Sequence, residues 1–126
     1  MKIVILKDNL SVIKLDPRAN PPIDTVGELF SITYTKEECS IVCASQHQFE
    51  AYSLLDREDD WRCLKIDGIL DFSLTGILAK LSTILADHHI SIFALSTFNT
   101  DYMLVKENSL EEAVRVLKEA GYTINE

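Results

Sequence analysis

Basic residues are scarce in this chain. Its 12 lysines and arginines stand against 20 aspartates and glutamates, a formal net charge of −8. Such a surface repels phosphate backbones and anionic lipid, so neither nucleic acid nor membrane is expected as a partner. Long apolar runs are missing as well. No stretch approaches the ~20 residues of a membrane helix. Asp8, Lys14 and Asp16 interrupt the early apolar residues, so no signal-peptide core is read there and a cytoplasmic protein is expected. Cysteine is sparse, and Cys39, Cys43 and Cys63 form no C-x-x-C pair. The odd number reads as buried free thiols. His47 lies four beyond Cys43, but no fourth ligand has suitable spacing, so no metal is expected. The phosphate loop, the dinucleotide fingerprint and the Gly-x-Ser-x-Gly elbow are all missing. None of His47, His88 and His89 sits in an acid–nucleophile pattern. The chain reads as non-enzymatic and free of cofactors.

What remains is patterned around Leu70 to Val105. Ile77, Leu78, Leu81, Ile84 and Leu85 fall on one face of a helix of period 3.6. Ser73 and Thr75 offer oxygens where that helix begins, and His88 and His89 are placed in its last turn, as a solvated end. Ile90 to Leu95 is a β-branched and aromatic run, and Tyr102 to Val105 returns as a second strand after a polar turn. Gly76 falls at the helix N-terminus, where free backbone N–H groups attract anions. Asp101 falls in a turn that the hairpin carries towards that end of the sheet. A bland reading stays open for both. A glycine at a helix start serves turn geometry, and a turn aspartate satisfies local N–H groups.

The rest of the chain reads in order. Met1 to Leu6 is a short apolar strand or arm, and Leu10 to Leu15 is a weak strand. Pro17, Pro21 and Pro22 then break the chain. Phe30 to Tyr34 and Cys39 to Ala44 form a hairpin around Lys36-Glu37-Glu38. Asp56 to Asp60 is a charged run, read as a solvated linker because it lacks the spacing and glycine of a calcium loop. Trp61 to Ile66 alternates as a strand. Ser109 and Glu112 make a capping box for a second helix, whose apolar face is Leu110, Ala113, Val114, Leu117 and Ala120. Gly121 ends it, before a last edge strand at Tyr122 to Ile124.

The second half is therefore βαββα with a closing β, and the first looks like the same unit with its helix eroded by prolines. At 126 residues the chain holds one domain or two very small ones. The expected fold class is α+β, ferredoxin-like βαββαβ. Two such units stand in tandem, 1–60 and 61–126, the first degenerate. Antiparallel sheets with helices on one face are expected in both.

Phe72-Ser73-Leu74-Thr75-Gly76-Ile77 resembles the helix start of an ACT domain, a small regulatory fold that binds amino acids. The run from Ile90 to Val105, with Ser96-Thr97-Phe98-Asn99-Thr100-Asp101 at its centre, carries a more specific resemblance. It is similar to the paired-ACT proteins that include the cytosolic arginine sensors and small bacterial relatives. The resemblance is close over 61–123 and weaker over 9–45. It implies a free amino acid as ligand, with the carboxylate on the backbone of Gly76 and Ile77. The ammonium would sit at Asp101 with carbonyls of Thr97 and Phe98. Ser91 and Ile92 would contribute from the adjoining unit. The sensors carry an acidic residue two before the glycine, where this chain has Leu74, so a less basic or apolar ligand side chain is expected.

The reading is thus a regulatory amino-acid sensor that acts as a homodimer, with Ile90 to Leu95 as the pairing edge. The alternative is a protein–protein interaction module that uses the Phe98-Asn99 turn and takes no small ligand.

Overall fold

The computed structural model describes residues 1–23, 27–69 and 75–126. The chain divides into two compact units. One is residues 8–61; the other is residues 1–7 together with 62–126, so the former is inserted into the latter.

The inserted unit is built from β2 (Leu10–Leu15), β3 (Ser31–Tyr34), β4 (Cys39–Ala44) and the first part of β5 (Leu54–Ile66), after β1 (Lys2–Ile5) of the other unit. β4 lies between β3 and β2, and β2 lies between β4 and β5. The expected hairpin is present, with Tyr34 opposite Cys39. Alternation sends Ile13, Leu15, Cys39, Ile41 and Cys43 into one core cluster. No α-helix covers it among the described residues. Ala19 and Phe30 pack on it from the proline-broken segment, and Phe49 and Tyr52 from a short 3₁₀ turn at Glu50–Tyr52. Prolines lack the N–H that helix propagation needs, so side chains from loops do the covering. All three cysteines are buried as thiols, and burial pushes the Cys39 thiol above its ordinary value.

The charged run is not a linker. Asp56 to Asp60 lies inside β5, with Lys14 opposite Asp56 and Val12 opposite Glu58. Ladder hydrogen bonds are made by the backbone, so a strand can carry charges wherever its side chains meet water. The register shifts between Leu10 and Val12, close to Asp60, whose φ is 67°. The side chain of Arg57 pins this strand. Its Nε lies 2.7 Å from Asp59, and its two Nη atoms donate to the carbonyls of Ser45 and His47 at 2.6 and 2.8 Å.

The other unit adds α1 (Ile77–Asp87), β6 (Phe93–Ser96), β7 (Asp101–Lys106), α2 (Leu110–Glu119) and β8 (Thr123–Asn125). Its strand order is β6-β7-β5-β1-β8. Here the sheet departs from the antiparallel expectation. β1 runs antiparallel to β5, with Ile3 opposite Ile66, and parallel to β8, with Ile3 opposite Ile124. The sheet is mixed because β1 takes the place beside β5 and the closing strand pairs with β1 instead. Ile3, Ile5, Leu64, Ile66, Met103 and Val105 meet Leu81, Leu85, Ala113, Val116 and Leu117 of the two helices in one core.

The helix ends correct several finer expectations. Thr75 makes no side-chain cap on α1, and Ser73 and Leu74 lie outside the described residues. Ser109 precedes α2 but makes no capping bond. A 3₁₀ turn at Glu107–Ser109 leads straight into the helix, so the N–H of Leu110 already bonds to Glu107. Glu112 pairs with Arg115 instead. α1 ends at Asp87, so both histidines lie beyond it. Ile90 belongs to that helix end too, its N–H held by the Leu85 carbonyl at 3.0 Å, and the strand starts only at Phe93.

Both helices end in the same two-bond cap. His89 bonds to Ala86 and Ile90 to Leu85 after α1, as Gly121 bonds to Lys118 and Tyr122 to Leu117 after α2. The left-handed position is Gly121 in α2 (φ 102°) but His89 in α1 (φ 57°). A side chain there is strained. His89→Gly is therefore expected to stabilise the protein by about 1 kcal/mol. A urea midpoint that falls, at unchanged m, would contradict this.

Candidate functional site

Gly76 precedes α1 at φ 76°, and a Cβ added to it would meet nothing within 4 Å. The left-handed backbone favours glycine, and the space above it is open. The first intrahelical bond here runs from the Lys80 N–H to the Gly76 carbonyl, at 2.9 Å. The N–H groups before Lys80 have no partner within the helix. Among the described residues no side chain caps them, and the first turn carries no acid.

A hollow of about 390 Å³ opens at this helix end, lined by Thr75, Gly76, Ile77, Lys80, Gly121 and Tyr122 among others. Strand pairing brings these segments together. The Asp67 N–H reaches the Lys2 carbonyl at 3.0 Å where β5 ends, and the Thr123 N–H reaches the Met1 carbonyl at 3.2 Å where β8 begins.

The turn between β6 and β7 is closed by the Thr97 N–H on the Thr100 carbonyl, at 2.9 Å. Ser96 stands opposite Asp101, and its hydroxyl donates to the Asp101 carboxylate. Thr100 is buried and donates at 2.8 Å to the carbonyl of Ile66, the last residue of β5. That bond fixes the turn beside the end of β5. Phe98 is 79% exposed at its tip.

The structure thus places Gly76 and Ile77 on one hollow, and Thr97, Phe98 and Asp101 on one turn, with Asp101 outside the hollow's lining. Ser91 and Ile92 line a different hollow, of about 620 Å³, with Ser82, Thr83 and His89. They follow the far end of the 11-residue α1, a helix about 16 Å long at 1.5 Å per residue. Sequence reasoning missed Lys80 and Tyr122 as neighbours of Gly76. Lys80 was detectable, since a residue four beyond the glycine shares its helix face and leans towards the N-terminus. Tyr122 was not, because its place depends on strand pairing. No described helix is long and apolar enough to cross a membrane.

The ACT domain family profile matches residues 56–119. The human cytosolic arginine sensor for mTORC1 subunit 1 is 28% identical over 98 residues, which cover 71% of this chain and 30% of that protein. The chain therefore spans under a third of the sensor's length. A solved structure from Agobacterium tumefaciens is 31% identical, with a TM-score of 0.86 over 98% of this chain and 90% of that one. The regulatory subunit of aspartate kinase from Thermus thermophilus shares the fold, with a TM-score of 0.63 at 9% identity, over 96% of this chain and 98% of that one.

Proposed function

Because this chain belongs to the ACT domain family, we propose that it is a non-enzymatic regulatory protein that binds a free amino acid in the cytoplasm. The observation that carries this reading is the start of α1, which no described side chain caps, open onto a hollow beside a glycine with free space above it. The ligand carboxylate would take the N–H groups at Gly76 and Ile77, where the helix dipole favours an anion. The ammonium would pair with Asp101 and the carbonyls of Thr97 and Phe98. The relatives support the regulatory role, one being an arginine sensor and another a regulatory subunit.

On this reading residues 61–126 carry the ACT domain, and 1–60 a degenerate copy in which loops replace the helices. The protein acts as a homodimer. Ser91 and Ile92 lie a helix length from Gly76 in their own chain, so they would complete the site of a second copy. β6 is the outer strand beside β7, and an open edge favours pairing. Light scattering that gives the mass of one chain would remove the dimer from the reading.

A thermal-shift screen of the twenty amino acids tests the function. The cognate ligand at about 100 times its Kd should stabilise the protein by about 2.7 kcal/mol and raise Tm by several degrees. A flat screen into the millimolar range would sink the amino-acid reading. It would favour the interaction module instead, for which the exposure of Phe98 (79%) and Ile69 (78%) speaks.

A further inference from the structure

The hollow beside Gly76 is one-sided in charge. Among its described lining residues no carboxylate occurs, and the side-chain charge it holds is that of Lys80. Lys80 has no acidic partner among the described residues, in a chain where acids outnumber bases 20 to 12. Its side chain is exposed, and it leans back over the turn that Gly76 begins.

The second helix provides a comparison within the same protein. α2 follows its dipole, with Glu111 and Glu112 in the first turn and Lys118 in the last. α1 reverses that order. It carries Lys80 near its start and Asp87 as its final residue. A cation near a helix start is unfavourable unless an anion joins it. Nothing in the fold requires the reversal, because Lys80 is exposed and packs in no core.

We infer that the site selects an amino acid with an acidic side chain, with Lys80 as the residue that sets this preference. The inference rests on the amino-acid reading above and deepens it. The α-carboxylate occupies the helix N–H groups, and Lys80 pairs with the second carboxylate. A guanidinium or ammonium side chain would find repulsion in the same hollow, and an amide would lose the ion pair.

The test compares L-aspartate with L-asparagine and L-glutamate with L-glutamine, by calorimetry on the full chain, with L-arginine alongside. One of the acids should bind roughly twofold to fivefold more tightly than its amide, the gain an exposed ion pair supplies. The gain should shrink as salt is raised. Lys80→Met should erase the acid–amide difference, and Lys80→Arg should restore it. Circular dichroism of both variants checks the fold. A wild type that prefers the amides or L-arginine overturns the acidic preference while leaving the amino-acid site standing. An acidic preference that survives Lys80→Met removes Lys80 as its source. No binding of any amino acid overturns both readings together.

Discussion

Asp101→Ala is expected to weaken binding of the cognate amino acid by about tenfold to hundredfold, the value of a lost charge-assisted hydrogen bond of about 1.5–3 kcal/mol. The fold should survive. Asp101 is only partly buried, at the start of β7, and its side-chain partner is the hydroxyl of Ser96 in the same hairpin. Ser96→Ala separates the two roles open to this carboxylate. If Asp101 acts by holding the hairpin, Ser96→Ala should weaken binding as much. If it holds the ligand ammonium, Ser96→Ala should cost clearly less than Asp101→Ala, since the carboxylate that pairs with the ammonium stays in place. Calorimetry on both variants reads the outcome. Unchanged affinity in a folded Asp101→Ala protein would take this residue out of the site.

Leu85→Ala should produce the largest loss of stability, about 2–5 kcal/mol. Leu85 is fully buried in the core between the two helices and the mixed sheet. Its carbonyl also accepts the N–H of Ile90, and the hydrophobic contact between those two positions belongs to that type of helix end. Alanine keeps the backbone bond and leaves a cavity. The melting temperature should fall by about 10–20 °C. Leu55→Ala, at a site 56% exposed, is the matched control and should stay within about 0.5 kcal/mol of the wild type. Equal melting temperatures for the two variants would show that α1 is not part of the cooperative core.

The helices were legible because their signal is local. Ile77 to Leu85 repeats at the helical period, and that face is what the core receives. The β3–β4 hairpin was legible for the same reason, through alternation on both sides of a polar turn. β5 was misread at Asp56 to Asp60 because its pairing with β2 is made by backbone groups, which charge does not reveal. The Ser109 cap was misread because a 3₁₀ turn leads into the helix, so Ser109 already has helical backbone angles (φ −105°, ψ −4°) and not the extended ones of a capping residue. For the candidate site, Gly76 was visible through its lack of a side chain. The gathering of Tyr122 and Gly121 around it was not, because that depends on where β8 docks.

β1 is synthesised early and completed late. Ile3 waits for Ile66 across the whole inserted unit, and then for Ile124 at the other end of the chain. Contacts of that sequence separation close slowly. During translation the inserted unit, residues 8–61, can therefore collapse on its own while the unit around it stays open. The hollow beside Gly76 takes Tyr122 into its wall, so a nascent chain cannot complete it before its last strand emerges. A fragment cut to residues 56–119 would omit both β1 and β8 and leave β5 bare along one edge. Expressed alone it should aggregate, and the useful truncation joins residues 1–7 to 62–126 across the gap.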